Sequence, residues 1–528
     1  MKKYNIFKIV LIVIFVLLVL SWIFPAAYYS GQYVDQGRVQ MGLFDLFNYP
    51  ITALSYFGFI AIFLILVGGL YGVLYKIPAY RAFLDKLVKL MKGKEKLSIS
   101  IMIVIIALLV SICGLQIGIA IFVPFIVALI LLMGYDKLVA AFVVVGSIAA
   151  GLIGTTFAAS NTSVLTQALS IKYDFEIGVR LIILVVAIAL VIFNTLMYMK
   201  KAGKTEKIEM KPAKKEEKVV VEEKPVKKAT SGNKSTKKKS NTKSSSKKTT
   251  SKSKNKAALK DEDVIVVSAS DTVREGLVPK EVSGKHSVWP FVTALVLVFI
   301  LLVLAFISWG DTGFKVSAFD NATKAVTGFE LFGFPIFGKL LGTINAFGSW
   351  TITDMLLPLF LIVIILMIIY KVRINEALDG FVAGAKKALG PAIIVVMLYT
   401  VLVLVTYHPF QLVIYKAFIG LTSGFNIVTT TIVAIIASLL NVDAAYTFQS
   451  VIPYYVSVVT KSANYPLVAI IFQTMYGFTM LFAPTSLILM ASLSYLKVSY
   501  KDWLKTIWKL LLELFIILLI IFIILAVV

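Results

Sequence analysis

Apolar runs of about twenty residues, each long enough to span a bilayer, alternate along the chain with short polar or basic stretches. The first run extends from Ile6 to about Phe24, broken only by Lys8 and Ser21. Its apolar core is long for a signal peptide and no clear small-residue cleavage site follows, so it reads as a retained span with its lysine end inside. A second span is expected from about Ile51 to Tyr75. In the basic stretch after it, Phe83, Leu84, Leu87, Leu90 and Met91 recur at helical spacing, which predicts an amphipathic surface helix. The loop Tyr28–Tyr49 has Arg38 as its one basic residue, which puts that loop outside. Ser98–Met133 is apolar but interrupted near Ser111–Gln116, as two short spans or one re-entrant hairpin would be. Leu138–Ala158 then crosses to a polar break at Ser160-Asn161-Thr162-Ser163, and Gly178–Tyr198 returns.

The later part of the chain repeats this order. After a span at Trp289–Ser308 and an external stretch, spans are expected at about Ile352–Tyr370 and Ala392–Tyr407, flanking a loop with Lys371, Arg373, Lys386 and Lys387. An amphipathic stretch, Pro409–Gly424, leads into Ile427–Val458, which has a polar break from Asn441 to Ser450. Leu467–Phe482 runs to a further break at Pro484-Thr485-Ser486, and Leu510–Val528 closes the chain. A proline follows the hairpin break in both halves, Pro124 and Pro453. Asn161-Thr162-Ser163 is echoed by Pro484-Thr485-Ser486. The single connector Trp289–Ser308 turns the second copy over. The expectation is an all-α polytopic membrane protein with an inverted-topology repeat, two re-entrant hairpins, two discontinuous spans and about nine full spans in all. The expected divisions are a first membrane repeat (1–199), a Lys/Ser-rich linker (200–285), a connecting span with an external segment (286–349) and a second, inverted repeat (350–528).

Composition agrees: 59% of the 528 residues are hydrophobic and 15% charged, against roughly 45–50% and 25% in soluble domains. The net charge of +24 is local, because residues 200–260 hold 22 lysines against 6 glutamates. That low-complexity segment reads as a disordered cytoplasmic linker, with contact to anionic lipid as the functional alternative. Lacking interleaved aromatics, it does not read as a nucleic-acid binder. One cysteine, Cys113, and two histidines, His286 and His408, rule out an intramolecular disulfide and a zinc cluster. With no phosphate loop and no nucleophile motif, an enzyme is not expected. An ion or solute channel is the alternative class, and an intramembrane enzyme the more distant one.

The breaks carry the candidate chemistry, since unwound backbone at membrane depth is tolerated only when buried in protein or lining a wet cavity. Half-helix N-termini attract a substrate carboxylate, and carbonyls with hydroxyl and amide oxygens suit a hard cation. The candidate substrate or ion ligands are Cys113, Gly114, Gln116, Ser160, Asn161, Thr162, Ser163, Asn441, Asp443, Thr447, Gln449, Ser450, Pro484, Thr485 and Ser486. A coupling sodium would sit near Asn161, Thr162, Thr485 and Ser486; a proton is the alternative coupling ion, and no fixed cofactor is expected. Asp443, the carboxylate near a hairpin tip, is a default functional candidate. Arg180 reads as an interfacial side chain that snorkels to water. His408 reads as a helix-end residue.

Gly134-Tyr135-Asp136, Gly151 and the Ser160–Ser163 break resemble the YfcC-like family, carriers of basic amino acids and four-carbon dicarboxylates in the ion-transporter superfamily. Phe472-Gln473, Gly477-Phe478, Pro484-Thr485-Ser486, Tyr500, Trp503 and Lys505 resemble its closing segment, and Gly348-Ser349-Trp350 and Gly384-Ala385 also fit. The resemblance covers most of both membrane halves and none of residues 200–285. It implies elevator-type secondary transport of a small organic ion, ion-coupled or by exchange. The protein would then lie in the bacterial plasma membrane, with a homodimer as the assembly to be tested. Its N-terminus and linker would be cytoplasmic and its C-terminus external.

Overall fold

The computed structural model describes residues 5–203, 275–281, 284, 286–310 and 314–527. The lysine-rich stretch from 204 to 274, with the expectations placed on it, lies outside the described residues. Seven described helices are long and apolar enough to cross a membrane: α1 (Asn5–Ile23), α2 (Asp45–Leu74), α4 (Glu95–Cys113), α8 (Ile177–Ala202), α9 (Trp289–Phe306), α13 (Ile374–Tyr407) and α19 (Tyr500–Val527). Between them lie α3 (Pro78–Met91), α5 (Val123–Leu132), α6 (Lys137–Ile153), α7 (Ala159–Ala168), α10 (Ala318–Thr327), α11 (Ile336–Leu341) and α12 (Leu356–Ile369). In the second half follow α14 (Gln411–Ile419), α15 (Ile427–Leu440), α16 (Ala444–Val458), α17 (Tyr465–Thr479) and α18 (Leu487–Leu496). A ten-residue helix such as α5, α7 or α18 covers about 15 Å, half the hydrocarbon thickness, so these are half-spans.

Element order runs in parallel through the two halves. A long helix (α2, α13) is followed by a short one (α3, α14) and then by two arms joined at a break (α4–α5, α15–α16). A helix then ends in a second break (α6, α17), before a half-helix (α7, α18) and a closing helix (α8, α19). Gly114, in the left-handed conformation at φ 70°, ends α4, while Asn441 in extended conformation ends α15.

The long helices α2 and α13 cross through small residues. A methyl group on Gly72 would lie 2.0 Å from the Gly380 carbonyl oxygen, and one on Gly384 would lie 2.1 Å from that of Gly68. Backbones approach this closely only where side chains are absent, the small-xxx-small packing of membrane helices. The broken helices pack on one another: α4 on α6, α15 on α17, and α6 on α17. That last crossing is also backbone against backbone, at Gly477 and Leu152–Ile153.

Several boundaries differ from expectation. Residues 374–391, expected as a loop leading to a span at Ala392, form one helix with it, with Pro391 inside. The loop between α1 and α2 carries an antiparallel hairpin, β1 (Ala26–Tyr29) with β2 (Tyr33–Gly37). The first broken span opens at residues 154–158; Asn161, Thr162 and Ser163, expected to be the break, are helical. The second hairpin's break is confined to residues 441–443, and Thr447, Gln449 and Ser450 lie within α16.

Candidate functional site

The first break is held open by hydrogen bonds from three neighbours. Ser111, on the last turns of α4, donates from Oγ to the Gly154 carbonyl (2.7 Å), and its own carbonyl accepts the Thr156 N–H (3.0 Å). Across the halves, Gln473 Nε2 on α17 donates to the Thr155 carbonyl (2.9 Å) and Thr474 Oγ1 to that of Ile153 (3.2 Å). Arg180 on α8 is 1% exposed and does not snorkel. Its Nε donates to the Thr155 carbonyl (2.9 Å), Nη1 to Tyr173 and Phe175 (3.1 Å each), and Nη2 to Thr156. Unwinding removes the intrahelical partners of the Thr155 and Thr156 carbonyls, and the guanidinium fork replaces them while also tying down the turn at Tyr173–Phe175.

Beyond this break α7 begins with no side-chain cap on its N-terminus. The first hairpin tip reaches it: Gln116 Nε2 donates to Asn161 Oδ1 (2.7 Å). Asn161 is 6% exposed, and its Nδ2 has no partner. Thr162 Oγ1 donates back to the Ala158 carbonyl (3.1 Å), and the carbonyl of half-buried Ser163 accepts from Thr166 (3.1 Å). Cys113 is a buried free thiol beside Gly114. The Ser160 side chain lies outside the described ones.

The second tip is more self-contained. Asp443 caps α16, accepting the Ala445 N–H through Oδ1 (2.8 Å). Asn441 Nδ2 donates to the Ala437 carbonyl (3.0 Å) and approaches Tyr415 and Ser450 (3.4 Å each). Thr447 and Ser450 bond back to the carbonyls of Asp443 and Thr447 at 2.6 and 2.8 Å, and Gln449 is exposed, away from the cluster. Next to half-buried Pro484, Thr485 Oγ1 donates to the Leu439 carbonyl (3.0 Å) and Ser486 caps α18 through the Leu489 N–H (3.3 Å). The bond from the first arm's end to the break, Ser111 to Thr156, thus has its counterpart in Leu439 to Thr485. Thr485 matches Thr156 in this role, not Thr162 as the sequence echo suggested. The hydrogen bonds of Asn161, Thr162, Thr485 and Ser486 each run within their own half. Among the described residues no three His, Cys, Asp or Glu side chains gather to hold a metal.

Sequence reasoning passed over α17. Gln473 Oε1, Tyr476 OH and Thr479 Oγ1 are buried without partners, three residues apart on one face. Tyr476 packs edge-on against Phe448 of α16 (centroids 5.9 Å), with its hydroxyl facing the Ala444 N–H at the start of that helix, near Asp443. The signal was present, since these residues interrupt an apolar run at helical spacing. An apolar pocket lies elsewhere, between α2, α9 and the first hairpin, with a lining that includes Phe83, Phe122 and Phe291. His408 ends α13, its Nε2 2.7 Å from the Tyr49 hydroxyl and its Nδ1 2.7 Å from the Val39 carbonyl, as a helix-end residue should.

Seven apolar helices with broken half-helices between them, and polar groups buried at the breaks, define an integral, all-α polytopic membrane protein. Residues 53–259 and 274–528 match the C4-dicarboxylate anaerobic carrier family, DcuC. The chain belongs to that family, whose members are carriers and not enzymes. It is also similar to an uncharacterized protein of Haemophilus influenzae, 32% identical over 146 residues, which are 27% of this chain and 28% of the relative. The match therefore spans little more than a quarter of that relative's length. Among solved structures it is similar to the Alcanivorax borkumensis YdaH transporter, at 11% identity and a TM-score of 0.37, over 98% of this chain and 97% of that one.

Proposed function

We propose that this chain is a secondary transporter of four-carbon dicarboxylates. The observation that carries the reading is a set of unpartnered buried polar atoms on α7 and α17, broken-helix elements of the two halves that pack on each other. These are Asn161 Nδ2 at the uncapped start of α7, and Gln473 Oε1, Tyr476 OH and Thr479 Oγ1 along α17. Buried polar groups are almost always paired, so four without partners on these packed helices suit a ligand that comes and goes; Asn161 Nδ2 and the two hydroxyls can donate to a carboxylate, while Gln473 Oε1 can only accept. One carboxylate would take the α7 N-terminus with the Asn161 amide, and the second the hydroxyls of Tyr476 and Thr479. A basic amino acid fits less well, because the tip carboxylate Asp443 caps its own helix.

The parallel order of elements supports an inverted repeat, and the Gly-lined α2–α13 crossing suits a rigid scaffold. The hairpins and broken helices would move against it as one block, an elevator, with the N-terminus and lysine-rich segment cytoplasmic and the C-terminus external. Coupling would be to sodium, to protons or to a counter-transported dicarboxylate. Uptake of labelled succinate into proteoliposomes tests this, with a sodium gradient, a proton gradient or internal dicarboxylate supplied in turn. Saturable uptake under at least one condition is expected. Folded protein that neither binds nor moves a four-carbon dicarboxylate would refute the reading.

A further inference from the structure

The two halves close their breaks with the same position and different chemistry. Arg180 is the fourth residue of α8, and Trp503 is the fourth residue of α19. Trp503 Nε1 donates to the Leu481 carbonyl at the second break (2.8 Å), helped by the Tyr500 hydroxyl on the Phe482 carbonyl (2.5 Å). Neutral donors thus satisfy the freed carbonyls of the second break. In the first break the same task falls to a buried cation whose acceptors are all neutral carbonyls. Asp174, six residues earlier, is exposed and not among the ion pairs of the described residues. Burying an unpaired charge is costly, and closing a break does not require one.

We propose that Arg180 supplies the fixed positive charge that makes the site prefer dianions, acting from behind the break and not by contact. The Thr155 carbonyl links it to the site, because it accepts from both Arg180 Nε and Gln473 Nε2, and Gln473 Oε1 is one of the unpartnered atoms. From there the peptide chain leads in four residues to the start of α7. The guanidinium and the α7 N-terminus bias the same place toward negative charge, in surroundings where charge is weakly screened. This rests on the proposed dicarboxylate reading. It makes Arg180 a specificity-determining residue, and the second half, with Trp503, the neutral side of the cavity.

The test compares succinate with its monomethyl ester in wild type, Arg180→Gln, Arg180→Lys and Arg180→Trp, by uptake and by equilibrium binding to purified protein. Arg180→Gln keeps amide donors and loses the charge. For an illustrative separation of roughly 10 Å, one charge at an effective dielectric of about 20 corresponds to a change on the order of tenfold for each negative charge on the ligand. The preference for succinate over the ester should therefore fall about tenfold in Arg180→Gln, mostly in KM, and persist in Arg180→Lys. Arg180→Trp, which copies the second half's solution, should bind the ester and lose most of its preference for the dianion. Equal losses for both ligands would reduce Arg180 to a cap and overturn the proposal. If Arg180→Gln and Arg180→Trp fail to fold, Arg180→Lys still decides, since a folded lysine variant without the preference overturns it. Wild type that binds neither ligand would instead sink the dicarboxylate reading.

Discussion

Placing a methyl group at position 72 tests how the α2–α13 crossing holds. In Gly72→Ala the new Cβ would stand 2.0 Å from the Gly380 carbonyl oxygen and 2.8 Å from the Gly384 nitrogen. Both are backbone atoms of a continuous helix, so neither can rotate away. Restoring an ordinary contact of about 3.4 Å requires the helices to part by roughly 1.4 Å at this point, where a gap of 0.5–1 Å already forfeits a quarter to a half of the dispersion energy. Overpacking of this kind costs about 1–3 kcal/mol, while replacing Gly by Ala in a helix returns at most about 1 kcal/mol. If the unfolded state in mixed micelles keeps its helices, the second figure vanishes and the loss is larger. Gly58→Ala, on the same helix, is the control. Its Cβ would meet only the Leu54 side chain, at 3.1 Å, which can give way. Unfolding of purified protein by SDS in mixed micelles should place Gly72→Ala about 1–3 kcal/mol below Gly58→Ala. Stability equal to or above the control would refute the close-packed crossing.

Further outcomes follow from the site and from the chain around it. Asn161→Ala removes the unpartnered Nδ2 and the acceptor for Gln116, so dicarboxylate affinity should fall about tenfold, roughly the worth of one charge-assisted hydrogen bond, with unchanged membrane insertion. Asp443→Asn should behave like wild type, because asparagine caps helices as well as aspartate does. Asp443→Ala should cost about 1 kcal/mol in the same unfolding assay. Glu275 pairs with buried Lys137 and, at 3.7 Å, with Lys497, while Arg81 holds the Pro279 carbonyl at 2.7 Å. Glu275→Gln should loosen residues 275–281, which limited proteolysis would show as faster cleavage there; an unchanged cleavage rate would mean that the backbone contacts alone hold the segment.

How much of this was legible in the sequence depends on whether the physics involved is local. Apolar length and periodicity are local, so the long helices and the amphipathic α3 could be read directly. The end of α4 at Gly114 was readable for the same reason, because a left-handed residue marks itself by its type. Polar residues are a poorer marker of unwinding. Asn161 and Thr162 looked like the break because they are polar, yet they are helical, and the backbone opens just before them at Gly154–Ala158. Lysines at 386 and 387 suggested a loop but lie on α13, which simply runs on past the apolar stretch. Arg180 was misread because its partners are backbone carbonyls, two in a break some twenty-five residues earlier and two in the turn just before α8. The acids near it in the sequence, Asp174 and Glu176, point to an interfacial side chain, and no spacing rule signals carbonyl partners. The α17 stripe was missed for the opposite reason, its three polar residues being scattered through a strongly apolar run.

The asymmetry between the two tips sets how a dianion would lie. On the proposed reading, the first half offers an uncapped helix start, a free amide donor and the Arg180 charge behind them. The second half offers α16 and α18, whose N-termini are already capped by Asp443 and Ser486. A carboxylate approaching α16 would meet another carboxylate, and like charges in a weakly screened site repel by several kcal/mol. The strongly held carboxylate therefore belongs at α7, and the other, met by the α17 hydroxyls with Asp443 near Tyr476, is held weakly. A fixed orientation follows, with the distal carboxylate pointing along the Gln473–Thr479 face. If so, shortening the ligand by one methylene should weaken binding through the α17 hydroxyls and leave the contribution of Asn161 intact. In a double comparison, Asn161→Ala should then cost malonate as much affinity as it costs succinate, while Tyr476→Phe should cost succinate more. The reverse pattern would place the strongly held carboxylate in the second half.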